Sequence, residues 1–313
     1  MVKAVVTGGA GFIGSHLAEL LAKTKNADVT VIDDLSSGKQ ANVPKTNRIK
    51  FVNASFESAE ALTELRGADA VFHLAGIVGV PYSIAHPEET RRVNVDGSAA
   101  LLEECERAGV RSFVFASSAS VYGNPDEKAG KQKESDALHP ESPYAESKVK
   151  GEKLVAAAAK RGGLRACSLR LFNVYGPRQT PGGAYAAAIP TFIDAALQGK
   201  DLTVFGGAQT RDFVFVRDVA RAFDLASQKG GGDGCNGKAF NIATGKSVSI
   251  VEIAGEIVAL AGSKSKISLK PERSGEVRFS EADVSLAASE LGFRAGVPLG
   301  AGLKETLEYF KNV

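Results

Sequence analysis

Short apolar runs recur along the first half of the chain: "KAVVT", "DVTVID", "IKFVNA", "AVFHLAG", "SFVFASS" and "ACSLRLFN". They are rich in Val, Ile and Phe and lack a clean two-residue alternation, the pattern of strands buried on both faces. Helix-length segments lie between them, and helices are predicted over 13–23, 88–108 and 144–160. Strand, helix, strand repeated in this way implies right-handed crossovers and a parallel, doubly wound sheet. Residues 1–172 are therefore read as a Rossmann-type α/β domain.

After Phe172 the texture changes. "AAAIPTFIDAALQG" reads as a helix, "LTVFGGAQTRDFVFVRDVARAF" as strand, turn, strand, helix, and further helices are predicted over 250–261 and 303–311. "QKGGGDGCNGK" reads as a glycine-rich surface loop. Residues 173–313 form a smaller α/β lobe in this reading, with segments around 211–243 returning to the first domain.

Composition narrows the function classes. The 313 residues are 44% hydrophobic and 24% charged, with a net charge of +2, as in a soluble globular protein. Near-neutral charge gives no footing for a nucleic-acid partner or an anionic membrane surface. No apolar run approaches the roughly 18 residues that span a bilayer. The opening "MVKAVVTGG" runs straight into a strand and turn rather than a secretory leader. Cys105, Cys167 and Cys235 show no C-x-x-C spacing, and the four histidines form no metal signature. A reducing, cytoplasmic setting without a metal site is expected.

"VVTGGAGFIGSHLAELLA" places Gly8, Gly11 and Gly14 where the first strand turns into the first helix. Such a junction needs a tight turn and close approach of backbone to a pyrophosphate, which the helix N-terminus then faces. Asp33, 19 positions after Gly14 in "VIDDL", stands where a carboxylate meets the adenosine ribose. It would repel a 2′-phosphate, and "SSGK" offers only Lys39 in compensation, so NAD is expected rather than NADP. Asp34 reads as a solvated turn residue. The expected cofactor contacts also include Phe12 and Ile13, then Leu35, Ser36, Ser37 and Gly38. Past later strand ends come Phe56, Leu74, Ala75, Gly76, Ala116 and Phe172.

"TGGAGFIGSHL", "HLAG", "SSASVYG", "PYAESK", "LRLFNVYGPR" and "TRDFVFVRDVA" together resemble, in order and spacing, the extended short-chain dehydrogenase/reductase family. The resemblance runs almost the whole chain. It implies Tyr144 as general base and acid, Lys148 one helical turn on as its electrostatic support and a ribose contact, and Ser118 as a hydrogen-bonding partner of the reacting hydroxyl. Ser117 and Ser120 are neighbours able to share that role. Asn94 resembles the asparagine that supports the fourth strand and the cofactor pocket. Ser55 stands where many relatives carry an aspartate that contacts the adenine.

For the second lobe, the resemblance implies a nucleotide-sugar site. Asn173 would meet the diphosphate, Thr203 and Phe205 the base, and Arg211 and Arg273 the diphosphate as a guanidinium pair. Family dehydratases and decarboxylases place acids just after the catalytic hydroxyl residue, whereas this chain reads Ser118-Ala119-Ser120-Val121-Tyr122-Gly123. Without an acid, elimination lacks its catalyst, so NAD-dependent 4-epimerisation of a UDP-hexose is expected. The resemblance further implies that Ser280, a small residue, stands where similar epimerases carry a bulky aromatic that restricts the sugar's 2-substituent, so N-acetylated hexoses are expected to fit as well. A UDP-glucuronate 4-epimerase and a 4-ketosugar reductase or dehydrogenase remain open alternatives. The resemblance also implies a homodimer formed through the helices of 88–108 and 144–160.

Overall fold

The structure, a computed structural model, describes residues 2–125, 130–181, 187–229, 236–272 and 277–313. Its largest sheet contains β1 (Lys3–Thr7), β2 (Asp28–Ile32), β3 (Ile49–Val52), β4 (Ala70–His73), β5 (Ser112–Ser118), β6 (Arg165–Leu171) and β10 (Ala239–Ile242). They lie in the order β10-β6-β5-β4-β1-β2-β3, and every pairing is parallel. The chain runs outward from β1 through β2 to β3, then crosses back to β4. That reversal opens a crevice beyond the carboxyl ends of β1 and β4. In the register, Thr7 stands opposite Ile32 on one side and His73 on the other.

Helices cover both faces, which explains why the strands carry apolar side chains throughout. On one face α1 (Phe12–Thr24) and α8 (Val216–Lys229) bury Leu17, Leu21 and Phe223 against Phe72 and Phe240. On the other, α5 (Ser98–Ala108) and α6 (Pro143–Arg161) bury Leu101, Leu102 and Val155 against Phe113 and Phe115. Gly151 lets α6 lie close to the sheet, since a Cβ there would stand 2.5 Å from the Phe115 ring.

Directly after β6 the chain leaves the large sheet. There β7 (Asn173–Tyr175) pairs parallel with β9 (Thr210–Phe215), which pairs antiparallel with β11 (Ser247–Ser249). A separate parallel pair joins β8 (Leu202–Phe205) to β12 (Ile267–Lys270). Helices α7 (Ala188–Leu197), α9 (Ile250–Ala261) and α10 (Leu299–Lys311) close a core containing Phe192, Ile253 and Leu303. Among the described residues no helix is long and apolar enough to cross a membrane. Nor do the described residues group three or more His, Cys, Asp or Glu side chains around a possible metal ion.

The helix expected over 88–108 is interrupted. Short α2 (Ala59–Thr63), α3 (Val80–Ala85) and α4 (Pro87–Arg91) precede a six-residue π-helical turn, Arg92–Gly97, before α5 begins. A π-turn inserts extra backbone into the helical ladder and re-aims a side chain. Here the buried residues of the turn are Asn94 and Gly97, and Asn94 reaches the loop after β4.

Two buried histidines tie stability to pH. Burial lowers the pKa of His73 from 6.5 to about 3 and that of His16 from 6.5 to about 4. Both are thus neutral in the fold and take up protons more readily when unfolded. Their stabilisation is complete above pH 6.5 and is lost progressively as pH falls from there toward the folded values. Urea unfolding at pH 5 should show a loss of about 4 kcal/mol relative to pH 7.5 from the two together, and replacing either should flatten the dependence.

Candidate active site

The crevice at the switch point is a cavity of about 860 Å³. Its floor is the glycine turn. Gly8, at φ +70°, donates its N–H to the Ile32 carbonyl at 2.8 Å, and a Cβ there would meet the Ala75 nitrogen at 2.7 Å. A Cβ on Gly14 would lie 2.2 Å from the Gly8 carbonyl oxygen. Gly11, the N-cap of α1, differs: within 4 Å its Cβ would meet only that oxygen, at 3.1 Å, so it would project into the cavity. The first turn of α1 carries no acid and no capping side chain, so its N–H groups face the cavity unopposed. Phe12 and Ile13 line the same wall. The glycine cradle and the helix N-terminus therefore fit a pyrophosphate.

Asp33 is buried at the end of β2. Its carboxylate accepts the Ala10 N–H at 2.9 Å and the Leu35 N–H at 2.9 Å, which fixes its plane at the cavity edge. Gly38 packs on that carboxylate, where a Cβ would come within 2.7 Å of an oxygen. Ser36 and Ser37 line the cavity. So does Asp34, which accepts the Ser36 N–H and hydroxyl. Leu35 and Gly38 shape the turn but are not among the lining residues. Phe56, Leu74, Ala75, Gly76, Ala116 and Phe172 all reach the wall. Asn94 does not: it works from behind, accepting the Ile77 N–H at 2.7 Å and donating to the Ile77 carbonyl at 2.9 Å.

Ser142 caps α6 by accepting the Ala145 N–H, and Pro143 occupies the first turn. This start aims Tyr144 and Lys148 at the cavity. Burial raises the pKa of Tyr144, and a hydrogen bond with Ser118 opposes the rise. Lys148 does not bond the tyrosine. Its Nζ donates to the Ala116 carbonyl at 2.8 Å and lies 5.7 Å from the Tyr144 ring centre. Burial lowers the Lys148 pKa to about 8, with Glu152 acting in the opposite direction. The three hydroxyls of the serine cluster differ in surroundings. Ser117 is committed to Glu152 at 2.5 Å, and the Ser118 oxygen accepts the Ser120 N–H at 3.1 Å. The buried Ser120 oxygen has no partner among the described residues.

The substrate-side residues are brought together less tightly. Asn173 donates to the Asp212 carbonyl at 3.3 Å, and Arg211 to the Thr210 carbonyl at 2.9 Å. Thr203 is exposed on β8, Phe205 half-buried at its end, and Ser280 buried. None of these five is among the lining residues of the large cavity. Arg273 lies outside the described residues. Missed in the sequence were Ile77, Val78, Tyr82, Glu89 and Arg92, which close one side of the cavity. They carry no motif; the only signal was their place just past the fourth strand, where ligands gather.

Comparison with known proteins gives this geometry its setting. Residues 4–243 match the model of the NAD dependent epimerase/dehydratase family. A UDP-glucose 4-epimerase of Mycolicibacterium smegmatis is 37% identical over 99% of both chains. A UDP-N-acetyl-alpha-D-glucosaminuronate decarboxylase of Bacillus cytotoxicus is 35% identical, over 99% of this chain and 98% of that one. Among solved structures, a UDP-N-acetylglucosamine 4-epimerase from Methanobrevibacter ruminantium, in complex with UDP-N-acetylmuramic acid, superposes with a TM-score of 0.92 at 34% identity over 99% of this chain and 98% of that one. With a glycine cradle, a strand-end aspartate and this breadth of match, the chain belongs to the NAD dependent epimerase/dehydratase family, and NAD is its cofactor.

Proposed function

We propose that this protein catalyses the 4-epimerisation of a UDP-hexose through a transient 4-keto sugar, accepting UDP-glucose and UDP-galactose and also their N-acetylated counterparts. One observation carries the reading. Between Ser118 and Gly123 no residue bears a carboxyl. The acids on the described cavity wall are Asp33, Asp34, Glu57 and Glu89. Glu57 pairs with Arg92 and Glu89 with Tyr82. No acid beside Ser118 and Tyr144 is thus positioned to eliminate water. The M. smegmatis and M. ruminantium relatives support the same direction.

NAD, when bound, would supply reversible hydride acceptance at the sugar. The α1 N-terminus and its glycine turn would hold the pyrophosphate, Asp33 the adenosine ribose and Lys148 the nicotinamide ribose. Ser118 orients the sugar hydroxyl by hydrogen bonding. Tyr144 removes the proton from that hydroxyl and later returns it, so its charge must be tolerated during the reaction. Its place in the first turn of α6 and the nearby Lys148 ammonium both favour the phenolate. Asn173 and Arg211 would hold the diphosphate.

Incubation of the purified protein, without added cofactor, with UDP-glucose, UDP-N-acetylglucosamine and UDP-glucuronate tests the reading. 4-Epimers of the first two are expected by NMR. Release of water or carbon dioxide, or a requirement for stoichiometric external nicotinamide, excludes it. Ser280→Tyr should suppress turnover of the N-acetylated pair selectively; equal loss on both pairs would separate Ser280 from the sugar's 2-position.

The pH profile carries a further prediction. Below about 8 the Lys148 ammonium is present and supports the phenolate, whereas above it that support is withdrawn as Tyr144 gains from the rising pH. Turnover should climb from pH 6 to about 8 and then flatten. Lys148→Met should lower it about a hundredfold at pH 7 and leave a profile that keeps climbing.

A further inference from the structure

Behind the cavity wall runs a closed chain of buried polar groups that the reaction itself does not use. Thr7, His73, Ser98, Asn94 and Ser147 are each no more than 4% exposed. The Thr7 hydroxyl lies 2.8 Å from His73 Nδ1, and His73 Nε2 lies 2.9 Å from the Ser98 hydroxyl. Ser98 spends its one proton on the Asn94 carbonyl at 2.7 Å, so it must accept from His73. Nε2 therefore carries the imidazole proton, and Nδ1 accepts from Thr7. The Thr7 oxygen in turn accepts the Ala75 N–H at 3.3 Å. Every donor in this line points the same way, and each group has its complement.

Both ends of the line touch the site. Thr7 is the residue before Gly8, and Ala75 lines the cavity. At the other end Asn94 clamps Ile77 with two hydrogen bonds and donates to Ser147 at 3.1 Å. Ser147 bonds the Tyr144 carbonyl at 2.7 Å. The Phe56, Phe113 and Phe115 rings surround the imidazole at 5.0, 5.8 and 5.8 Å, so no water replaces either partner without opening the core.

We propose that His73, as the neutral Nε2–H tautomer, is a positioning residue that joins two separable halves of the site: through Thr7 it sets the glycine turn and hence NAD retention, and through Ser98 and Asn94 it sets the Ile77 loop and the Tyr144 helix and hence turnover. The turnover half rests on the proposed epimerase reading; the NAD half does not. Low pH breaks both halves together, because a second imidazole proton has no acceptor at Nδ1 unless Thr7 reverses its hydroxyl.

Half-chain variants test this. In His73→Asn the amide oxygen replaces the Nδ1 acceptor and the donor to Ser98 is lost; in His73→Gln the amide nitrogen replaces the Nε2 donor and the acceptor for Thr7 is lost. The peripheral pair Thr7→Val and Ser98→Ala removes the same two bonds, and with them the Ala75 N–H to Thr7 and the Ser98 to Asn94 carbonyl bonds, with less disturbance of the aromatic cluster. With one buried hydrogen bond removed in His73→Gln and two in Thr7→Val, the holoenzymes should lose bound NAD on dialysis at least about tenfold faster, with kcat changed less than about threefold. His73→Asn and Ser98→Ala should retain NAD at the wild-type rate while kcat falls about tenfold and KM stays within about twofold. A purely structural histidine gives lower melting temperatures with wild-type NAD release and kcat in all four, and that result overturns the proposal. So does a parallel loss of both properties in every variant. If no UDP-sugar turns over at all, the epimerase reading fails, while the NAD release of Thr7→Val and His73→Gln still decides the first half.

Discussion

Tyr144→Phe should lower kcat about a thousandfold, the usual contribution of a positioned acid–base group, while sugar-nucleotide KM, bound NAD and melting temperature change little. The ring stays in place because α6 is set by other contacts: the Ser142 cap, Pro143, and the buried Ala145, Ser147, Gly151 and Val155 below it. What disappears is the one hydroxyl on the wall that Ser118 hydrogen-bonds. Burial raises the tyrosine's pKa, so as an isolated group it would be a poor base at neutral pH. The site counters this with the hydroxyl of Ser118, the positive end of α6 and the Lys148 charge 5.7 Å from the ring centre. None of these three removes a proton from a sugar hydroxyl in the absence of the tyrosine. NMR quantification of the 4-epimer from protein of matched NAD content decides the matter, and near-wild-type turnover would take Tyr144 out of the chemistry.

The central strands of the large sheet were readable because they are buried on both faces, and runs of Val, Ile and Phe separated by helices suit a doubly wound sheet. The helix starts were readable from local chemistry, as at Ser142-Pro143 and at Ser249, whose capping box with Glu252 opens α9. The π-turn Arg92–Gly97 was not. Its residues continue an ordinary helical pattern, and the reason for the extra backbone lies 17 positions away, at the Ile77 loop that Asn94 must reach. The pairing of β8 with β12 was equally hidden, since Leu202 and Ile267 meet only after the intervening helices have packed.

Within the site, residues that belong to a motif were found and residues that belong to a surface were not. The glycine turn and Asp33 announce themselves by spacing, Ser118, Tyr144 and Lys148 by the resemblance to the extended short-chain dehydrogenase/reductase family, and all reach one cavity. Tyr82, Glu89 and Arg92 reach it because α3 and α4 lie against α6, a fact with no local signature. The resemblance implies Lys148 as an electrostatic support for the tyrosine, and in the structure its ammonium is held by the Ala116 carbonyl at the end of β5. Its influence on the tyrosine is therefore through space, and the nitrogen has further donors for a ribose.

Gly14→Ala should abolish NAD retention and destabilise the fold together, whereas Gly11→Ala should weaken NAD binding about a hundredfold with little loss of stability. The two glycines lie three residues apart, but alanine is the better helix former only at Gly14, inside α1, whereas at the N-cap Gly11 glycine is preferred. Their surroundings differ. At Gly14 the new methyl would stand 2.2 Å from the Gly8 carbonyl oxygen and 2.8 Å from the Gly9 Cα, both backbone atoms that cannot rotate away. Relief requires α1 to back off from β1, which opens the core where Leu17 and Leu21 pack and lifts the turn off the sheet. A loss of about 2–4 kcal/mol is expected, the scale of an overpacked or displaced core element. At Gly11 the methyl would press on the Gly8 carbonyl oxygen at 3.1 Å, a tight contact relieved by a shift of a few tenths of an ångström, so folding notices it far less than it notices the Gly14 methyl. The ligand notices it more, because the methyl occupies the space in front of the helix N-terminus that the pyrophosphate requires. Thermal melts and NAD content, measured side by side on the two purified variants, separate these effects. Equal destabilisation in both would show that the turn is rigid as a unit, and unchanged NAD content in Gly11→Ala would place the pyrophosphate elsewhere in the cavity.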